Sequence, residues 1–133
     1  MPFSFDFDWK NRILRGRLFG QIGDDHLKDY YRTAFQIVSR TQPLAAIIDG
    51  SAITEFSVAA NTILELAKSP PALPNPNLPR VIIAPSPVFY GMARMFEAQG
   101  EPTRPNLHVV RTENEAWAIL AVQDPQFEPL SFE

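Results

Sequence analysis

The feature that most constrains this fold is a pair of short apolar runs, LAAIIDG at residues 44–50 and RVIIAPS at residues 80–86. Neither run alternates apolar with polar residues, so neither predicts a strand with one face in water. Short apolar runs that end in turn-forming residues are typical of strands covered on both faces, as in parallel sheets. The sequence therefore predicts an α/β fold in which helices cover a central sheet.

Before the first of these runs, the hydrophobic period changes from that of strands to that of a helix. FSFDFDW (3–9) alternates aromatic with polar side chains, which is the period of a half-buried strand. With RILRGRLFG (12–20) it predicts an antiparallel hairpin that turns at Lys10 and Asn11. Residues 24–40 then place apolar side chains at helical spacing, which predicts a first helix.

Further helices follow each apolar run. A second helix is predicted after residue 57, and Ser86 with Pro87 supplies the N-cap and first position of a third. The inner face of that third helix is predicted to consist of Val88, Gly91, Met92, Met95 and Phe96. NLHVV (106–110) predicts the last strand of this series, and Thr112 with Glu115 forms a capping box for a fourth helix.

The resulting element order is ββαβαβαβα. Right-handed helical crossovers return the chain parallel to the preceding strand, so the order predicts a mixed sheet of four or five strands. At 133 residues the chain is expected to form a single domain over residues 1–123, with residues 124–133 as an extended C-terminal tail. That tail, DPQFEPLSFE, is broken by prolines but offers Phe127, Leu130 and Phe132 for docking.

Composition excludes several classes of function. The net charge of −3 does not favour a nucleic-acid partner, since a phosphate-binding surface needs clustered Lys and Arg. The absence of cysteine rules out disulfides, thiol catalysis and cysteine-ligated metal sites. No apolar segment approaches the roughly 20 residues that span a bilayer, and no signal-peptide pattern is present. We expect a cytoplasmic protein that needs no cofactor.

The element order and the stretch LAAIIDGSAITEFSVAANTILELA (44–67) resemble the STAS domain, the SpoIIAA-like fold of bacterial anti-sigma factor antagonists. In that family a buried strand ends in a D-x-S-G-[VI]-T loop, followed by a helix whose first turn holds a phosphorylatable serine. Asp49, Ser51, Ile53 and Thr54 match the loop, with Ala52 in place of its glycine. The resemblance extends over about residues 3–122 and implies a STAS-like sandwich and a bacterial regulatory protein.

One departure affects the functional expectation. The antagonists carry Asp-Ser-Ser-Gly at the start of this helix, and the first of those serines takes the phosphate. Counted from Asp49, this chain has Ser57, Val58, Ala59 and Ala60 there. The resemblance therefore implies a non-enzymatic protein-interaction module, with a partner such as a kinase-like anti-sigma factor, that lacks the usual phosphoacceptor.

Candidate binding residues gather beyond the carboxyl ends of the predicted parallel strands, where sites in open α/β sheets lie. Three strand ends would supply Asp49, Ser86 and Arg111, and the loop after the first would supply Ser51, Thr54 and Ser57. A further candidate is Arg94, on the outer face of the third helix. A purely structural role is the alternative, with Ser57 capping a helix and Asp49, Ser51 and Thr54 satisfying backbone donors. Arg94 could hold an anion or an acidic partner, or lie exposed in solvent.

Two other readings remain open. A pocket between the sheet and the Met92, Met95 and Phe96 helix would suit a small apolar ligand, since methionine adapts to apolar partners. That idea follows from the topological similarity of STAS and lipid-carrying SEC14-like folds, which is an analogy. An enzyme would need chemistry from Asp49, Ser51, Ser57 and Arg94, and we expect none.

Metal binding and oligomeric state complete the expectations. His26 and His108 have no second histidine at ligand spacing, so no metal site is predicted. The strand at 3–9 is expected near a sheet edge, and this strand or the tail could form a symmetric homodimer contact.

Overall fold

The computed structural model describes residues 2–131, which form one six-stranded mixed sheet and four helices. The elements are β1 (Phe3–Asp8), β2 (Ile13–Ile22), α1 (Asp24–Thr41), β3 (Ala45–Phe56), α2 (Ala60–Lys68), β4 (Arg80–Ile83), α3 (Pro87–Gln99), β5 (Leu107–Val110), α4 (Glu113–Leu120) and β6 (Glu128–Leu130).

The sheet has the order β5-β4-β3-β2-β1-β6. β2 through β5 run parallel to one another, whereas β1 pairs antiparallel with both β2 and β6. Side chains of α1, α2 and α3 share one core with one face of the sheet, and α4 packs on the opposite face. The predicted mixed α/β sandwich is confirmed.

β3, which the first apolar run forms, shows why such a run predicts a strand covered on both faces. Ile47 belongs to the core under α4, whereas its neighbour Ile48 packs against the core under the other helices. A strand covered on both faces has no solvent side on which to place polar residues, which explains the unbroken run.

The predicted strand count was too low. Residues 128–130, predicted as part of an extended tail, form β6 and pair with Phe5–Phe7 of β1. A strand of three residues that contains Pro129 has no readable period, so the sequence did not reveal it. β1 is consequently one strand in from the edge of the sheet.

The turn of the hairpin also differs from the prediction. The residue with a positive φ is Arg12, at 57°, and not Asn11. Asp8 is 1% exposed although the alternation predicted it to face solvent. Its carboxylate accepts hydrogen bonds from the backbone N–H groups of Lys10 and Asn11, both at 3.1 Å, and thereby organises the turn.

The helix starts at Ser86 and Thr112 are confirmed. Ser86 occupies the N-cap position of α3 before Pro87, without a side-chain capping bond. Thr112 and Glu115 form the predicted capping box of α4. The inner face of α3 was predicted wrongly at two positions, because Val88 is 60% exposed and Gly91 is also exposed. The buried positions are Phe89 and Ala93, which shifts the apolar stripe by one residue.

Candidate functional site

The strand β3 continues far past the point at which the sequence predicts a loop. β4 pairs with it only as far as Asp49, opposite Ile83. β2 goes on pairing with it to Phe56, which lies opposite Ile22. Residues 50–56 therefore form the outer half of β3, an extended segment that projects beyond β4. β4 and β5 end opposite Asp49 of β3, at Ile83 and Val110, and we call this level the rim of the sheet.

Asp49 is buried at this rim. Its Oδ1 accepts a hydrogen bond of 2.9 Å from the backbone N–H of Ser51 and another from the Ser51 hydroxyl. Its Oδ2 lies 3.7 Å from Nε of Arg17 on the neighbouring strand β2. The carboxylate therefore fixes the start of the outer half of β3, and Ser51 itself remains exposed.

Ser57 does not cap α2, so that part of the structural alternative is wrong. The N-cap residue is Ala59, whose backbone N–H donates to Oδ1 of Asp24 at 2.8 Å. The N–H of Ser57 donates to the carbonyl of Ile22 at 2.8 Å. Asp24, at the start of α1, therefore holds the N-cap residue of α2 by its backbone N–H, and no side chain caps the helix. Ser57, to which the sequence assigned the cap, is exposed.

Val58, which follows Ser57, faces the interior. Val58 is 4% exposed and belongs to the main core, which it shares with Phe89 and Ile63. Its position between exposed Ser57 and exposed Ala59 gives the segment one apolar anchor flanked by surface residues.

The predicted site residues do not form one cluster. Asp49 and Ser51 meet at the rim, but Ser57 follows the end of β3, on the order of 25 Å from Asp49 at roughly 3.3 Å per extended residue. Thr54 is exposed between them. The candidate residues of β3 therefore lie along a strip and not around a cleft.

The remaining candidates lie on or near α3. Ser86 precedes the helix, and Arg94 pairs with Glu97 at 3.1 Å on its exposed side. Arg111, which follows β5, places its guanidinium 4.1 Å from the centre of the Tyr90 ring. Arg94 also lies 3.5 Å from the Tyr90 hydroxyl, so Tyr90 connects the two arginines across this surface.

A partly enclosed cavity of about 130 Å³ lies between the sheet and helices α1, α2 and α3. Met92 and Phe96 line it as the sequence predicts, whereas Met95 does not. Its wall is almost wholly apolar, and the charged side chains among its described lining residues are Arg80 and Arg104.

Sequence reasoning missed these two arginines. Arg80 is 7% exposed and donates to the carbonyls of Leu73, Asn75 and Leu78. Arg104 is 4% exposed and donates to the carbonyls of Leu66 and Ala67 and to the Tyr31 hydroxyl. The one sequence signal was Arg80 itself, a charged residue directly adjoining a buried apolar run.

Burial shifts the pKa values of this group. Burial lowers the pKa of the Arg80 guanidinium, and the nearby positive charge of Arg104 lowers it further. The pKa of Arg104 is lowered by burial and partly restored by Tyr31. Burial raises the pKa of the Tyr31 phenol, and the two arginines oppose that shift. The positive charge of Arg104 therefore acts on the Arg80 guanidinium, and Tyr31 interacts with both arginines beside the cavity.

The two histidines have structural partners. Nδ1 of His26 accepts the backbone N–H of Gly23 at 3.0 Å, and Nε2 of His108 lies 2.8 Å from Oδ1 of Asn106. Within residues 2–131, no group of three or more His, Asp or Glu side chains could hold a metal ion. Over the same residues, no helix has the length and hydropathy needed to cross a membrane.

Solved structures share this fold. The anti-sigma factor antagonist SpoIIAA in its unphosphorylated form matches with a TM-score of 0.60 and 13% identity, over 92% of this chain and 99% of that chain. The Bacillus cell fate determinant SpoIIAA in its phosphorylated form matches with a TM-score of 0.55 and 17% identity, over 87% of this chain and 96% of that one. No protein-family model and no curated protein matches. The chain has a SpoIIAA-like STAS fold, as its resemblance implied.

Proposed function

We propose that this protein is a non-enzymatic regulatory module that binds a protein partner through the outer half of β3 and the start of α2. The observation that carries the proposal is the exposed polar strip of Ser51, Thr54, Glu55 and Ser57, which projects past β4 on a SpoIIAA-like fold. A kinase-like anti-sigma factor is the class of partner that the fold suggests.

The contacts of the rim acid support binding over catalysis. A general base must have its carboxylate free to reach a substrate proton. Asp49 is instead 4% exposed, bonded to Ser51 and close to Arg17. We therefore propose that Asp49 positions the recognition strip and takes no part in bond-making.

We also propose that the module works without the phosphorylation switch of its structural relatives. Val58 stands at the position counted as the phosphoacceptor, has no hydroxyl and is buried in the core. A phosphate at that point would have to displace an apolar anchor. Regulation would then depend on partner concentration or on a different residue.

The test introduces charge on the strip. Ser57→Glu places a carboxylate on an exposed position, so we expect partner binding to fall at least tenfold while the circular dichroism and the unfolding midpoint stay unchanged. Ser39→Glu is the matched control. Ser39 is exposed near the C-terminal end of α1, which leads into the amino end of β3, whereas Ser57 follows the carboxyl end of that strand.

Both variants would be expressed in the host in place of the native chain, and the retained partner quantified by mass spectrometry. Equal retention by Ser57→Glu and wild type would contradict the proposed surface. A loss with both variants would show that the effect is one of added charge and not of position.

A second candidate function is a carrier or sensor of a small apolar ligand. The observation that favours it is the cavity of about 130 Å³ in the main core. Well-packed interiors contain few voids larger than a water molecule, and an engineered apolar cavity of about 150 Å³ binds benzene. Met92 and Phe96 would contact the ligand, and Met95 lies outside the cavity lining.

Location and oligomeric state are also proposals. We propose a cytoplasmic bacterial protein, as the SpoIIAA-like fold and the cysteine-free chain suggest. Of the two homodimer contacts proposed from the sequence, pairing through the edge of β1 is blocked, because β6 covers the outer edge of that strand. Of the apolar tail residues, Phe127 packs on Trp117 and Leu130 on the core, whereas Phe132 lies outside the described residues.

A further inference from the structure

The end of the cavity near Arg80 and Arg104 has an unusual charge balance. A buried guanidinium is costly to desolvate and is ordinarily paired with a carboxylate. Among the described residues, neither Arg80 nor Arg104 has an acidic side chain within salt-bridge distance. Their hydrogen-bond partners are backbone carbonyls and the hydroxyls of Tyr31 and Thr103, which are dipoles and carry no net charge.

The two arginines therefore leave two positive charges beside an apolar cavity. The carbonyls of Leu66 and Ala67 lie in the last turn of α2, where the helix dipole is negative, and this offsets part of the charge of Arg104. The Nε–H of Arg104 donates to no described residue. Since no fully buried side-chain nitrogen among the described residues lacks a partner, this charged N–H reaches accessible space.

We propose that this cavity binds a small organic monocarboxylate, with its apolar body against α3 and the sheet and its carboxylate at the Arg80–Arg104 end. The proposal rests on the second candidate function and specifies its ligand. A carboxylate would supply the missing negative charge, and charge-assisted hydrogen bonds are about twice as strong as neutral ones.

The volume of the cavity limits the size of the ligand, and the hydrogen bonds of the two arginines limit its charge. A cavity of about 130 Å³ is slightly smaller than one that holds benzene, so the apolar body has roughly five carbons, as in hexanoate. Most guanidinium N–H groups already donate to carbonyls, which favours a singly charged head over a dianion such as phosphate.

The test compares hexanoate with hexanamide at pH 7 on the wild-type chain. The two molecules have nearly the same shape and differ in charge. Binding is followed by NMR of methionine methyl groups, because Met92 lines the cavity and Met95 does not. We expect hexanoate to bind roughly tenfold or more tightly than hexanamide, with shifts at Met92 that exceed those at Met95.

Two variants locate the site. Ala93→Met fills the cavity from α3, and Ala98→Met is the matched control at an exposed position of the same helix. We expect the first to abolish hexanoate binding and the second to preserve it. Arg80→Gln should reduce the preference for hexanoate over hexanamide. If this variant fails to fold, the comparison of the two ligands on the wild-type chain still tests the carboxylate site.

The outcomes distinguish the proposed carboxylate site from the more general function of an apolar-ligand carrier. Equal affinity for hexanoate and hexanamide would overturn the carboxylate site and leave an apolar-ligand carrier standing. Binding of neither molecule, or shifts at Met95 without shifts at Met92, would overturn both.

Discussion

The ring of Phe89 packs closely against the backbone at Gly50, next to the rim. A Cβ atom added at Gly50 would lie 2.2 Å from Cε2 of Phe89, a ring that is 5% exposed and packs 4.9 Å from the ring centre of Phe56. The absence of a side chain at Gly50 therefore lets α3 approach the strand. Gly91, on the exposed side of the same helix, has nothing within 4 Å of such a Cβ.

Alanine substitutions at these two glycines should consequently change stability in opposite directions. We expect Gly50→Ala to lower the free energy of unfolding by about 1–3 kcal/mol through overpacking. Gly91→Ala should raise it by up to about 1 kcal/mol, because alanine is the better helix former. Urea titrations with unchanged m-values would measure both, and a Gly50→Ala chain as stable as wild type would contradict the contact.

Tyr30 makes stability depend on alkaline pH. Burial raises the pKa of its phenol above the ordinary value, and the negative charge of Asp49 raises it further. In the unfolded chain a tyrosine ionises near pH 10, so above that pH the unfolded state has lost a proton that the folded state retains. The stability contributed by the buried neutral phenol is full below about pH 10 and is lost as pH rises beyond it.

The variant Tyr30→Phe isolates this contribution. It keeps the ring contacts with Phe3 and Phe5, at 5.6 and 5.0 Å between ring centres, and removes the ionisable group. We expect the free energy of unfolding of wild type to fall more steeply than that of Tyr30→Phe between about pH 10 and 11, by up to about 1.4 kcal/mol per pH unit. Parallel pH profiles for the two chains would show that Tyr30 does not retain its proton.

At the scale of elements, β6 completes the sheet from the end of the chain. It pairs with Phe5–Phe7 of β1 and so covers an edge that would otherwise be free. Phe127, just before it, stacks on Trp117 at 6.0 Å and lies 3.9 Å from the guanidinium of Arg15. The tail therefore has both a pairing role and a packing role.

A truncated chain and a point variant, compared with each other, should separate the pairing role of the tail from its packing role. A chain that ends at Asp124 loses β6, and we expect a lower unfolding midpoint together with concentration-dependent association through the exposed edge of β1. Phe127→Ala keeps β6 and should lower the midpoint without altering the mass in solution. Sedimentation and thermal unfolding measure both properties, and a truncated chain with wild-type mass and midpoint would contradict the role of β6.

Local chemistry made some elements readable from the sequence. The alternation of β1, the apolar run of β3 and the Thr112–Glu115 box each depend on neighbours within a few residues, and all three appear in the structure. The continuation of β3 through residues 51–56 was not readable. Small polar residues in SAITEF are typical of a loop, and their strand conformation depends on pairing with β2, about thirty residues earlier in the chain.

The candidate site was readable to a lesser degree. Asp49 and Ser51 could be placed at the rim because they directly follow a buried strand. The contact of Asp24 with Ala59, the N-cap residue of α2, could not be predicted, since the two residues are 35 apart in sequence. The burial of Arg104 likewise depends on α2 and Tyr31, both distant in sequence.

At the scale of the whole molecule, an exposed strip and an internal cavity underlie the two proposed functions. The strip along the outer half of β3 offers a protein partner exposed polar groups. The partly enclosed cavity under α1, α2 and α3 offers a small molecule an apolar site. Both can be present in one chain, but the proposed primary function assigns regulation to the strip.

Native mass spectrometry of the chain isolated from its own host tests that assignment most directly. We predict a stoichiometric complex with one protein partner in wild type, and its loss in Ser57→Glu but not in Ser39→Glu. A wild-type chain that carries a small molecule and no protein partner would contradict the proposed module and favour the carrier.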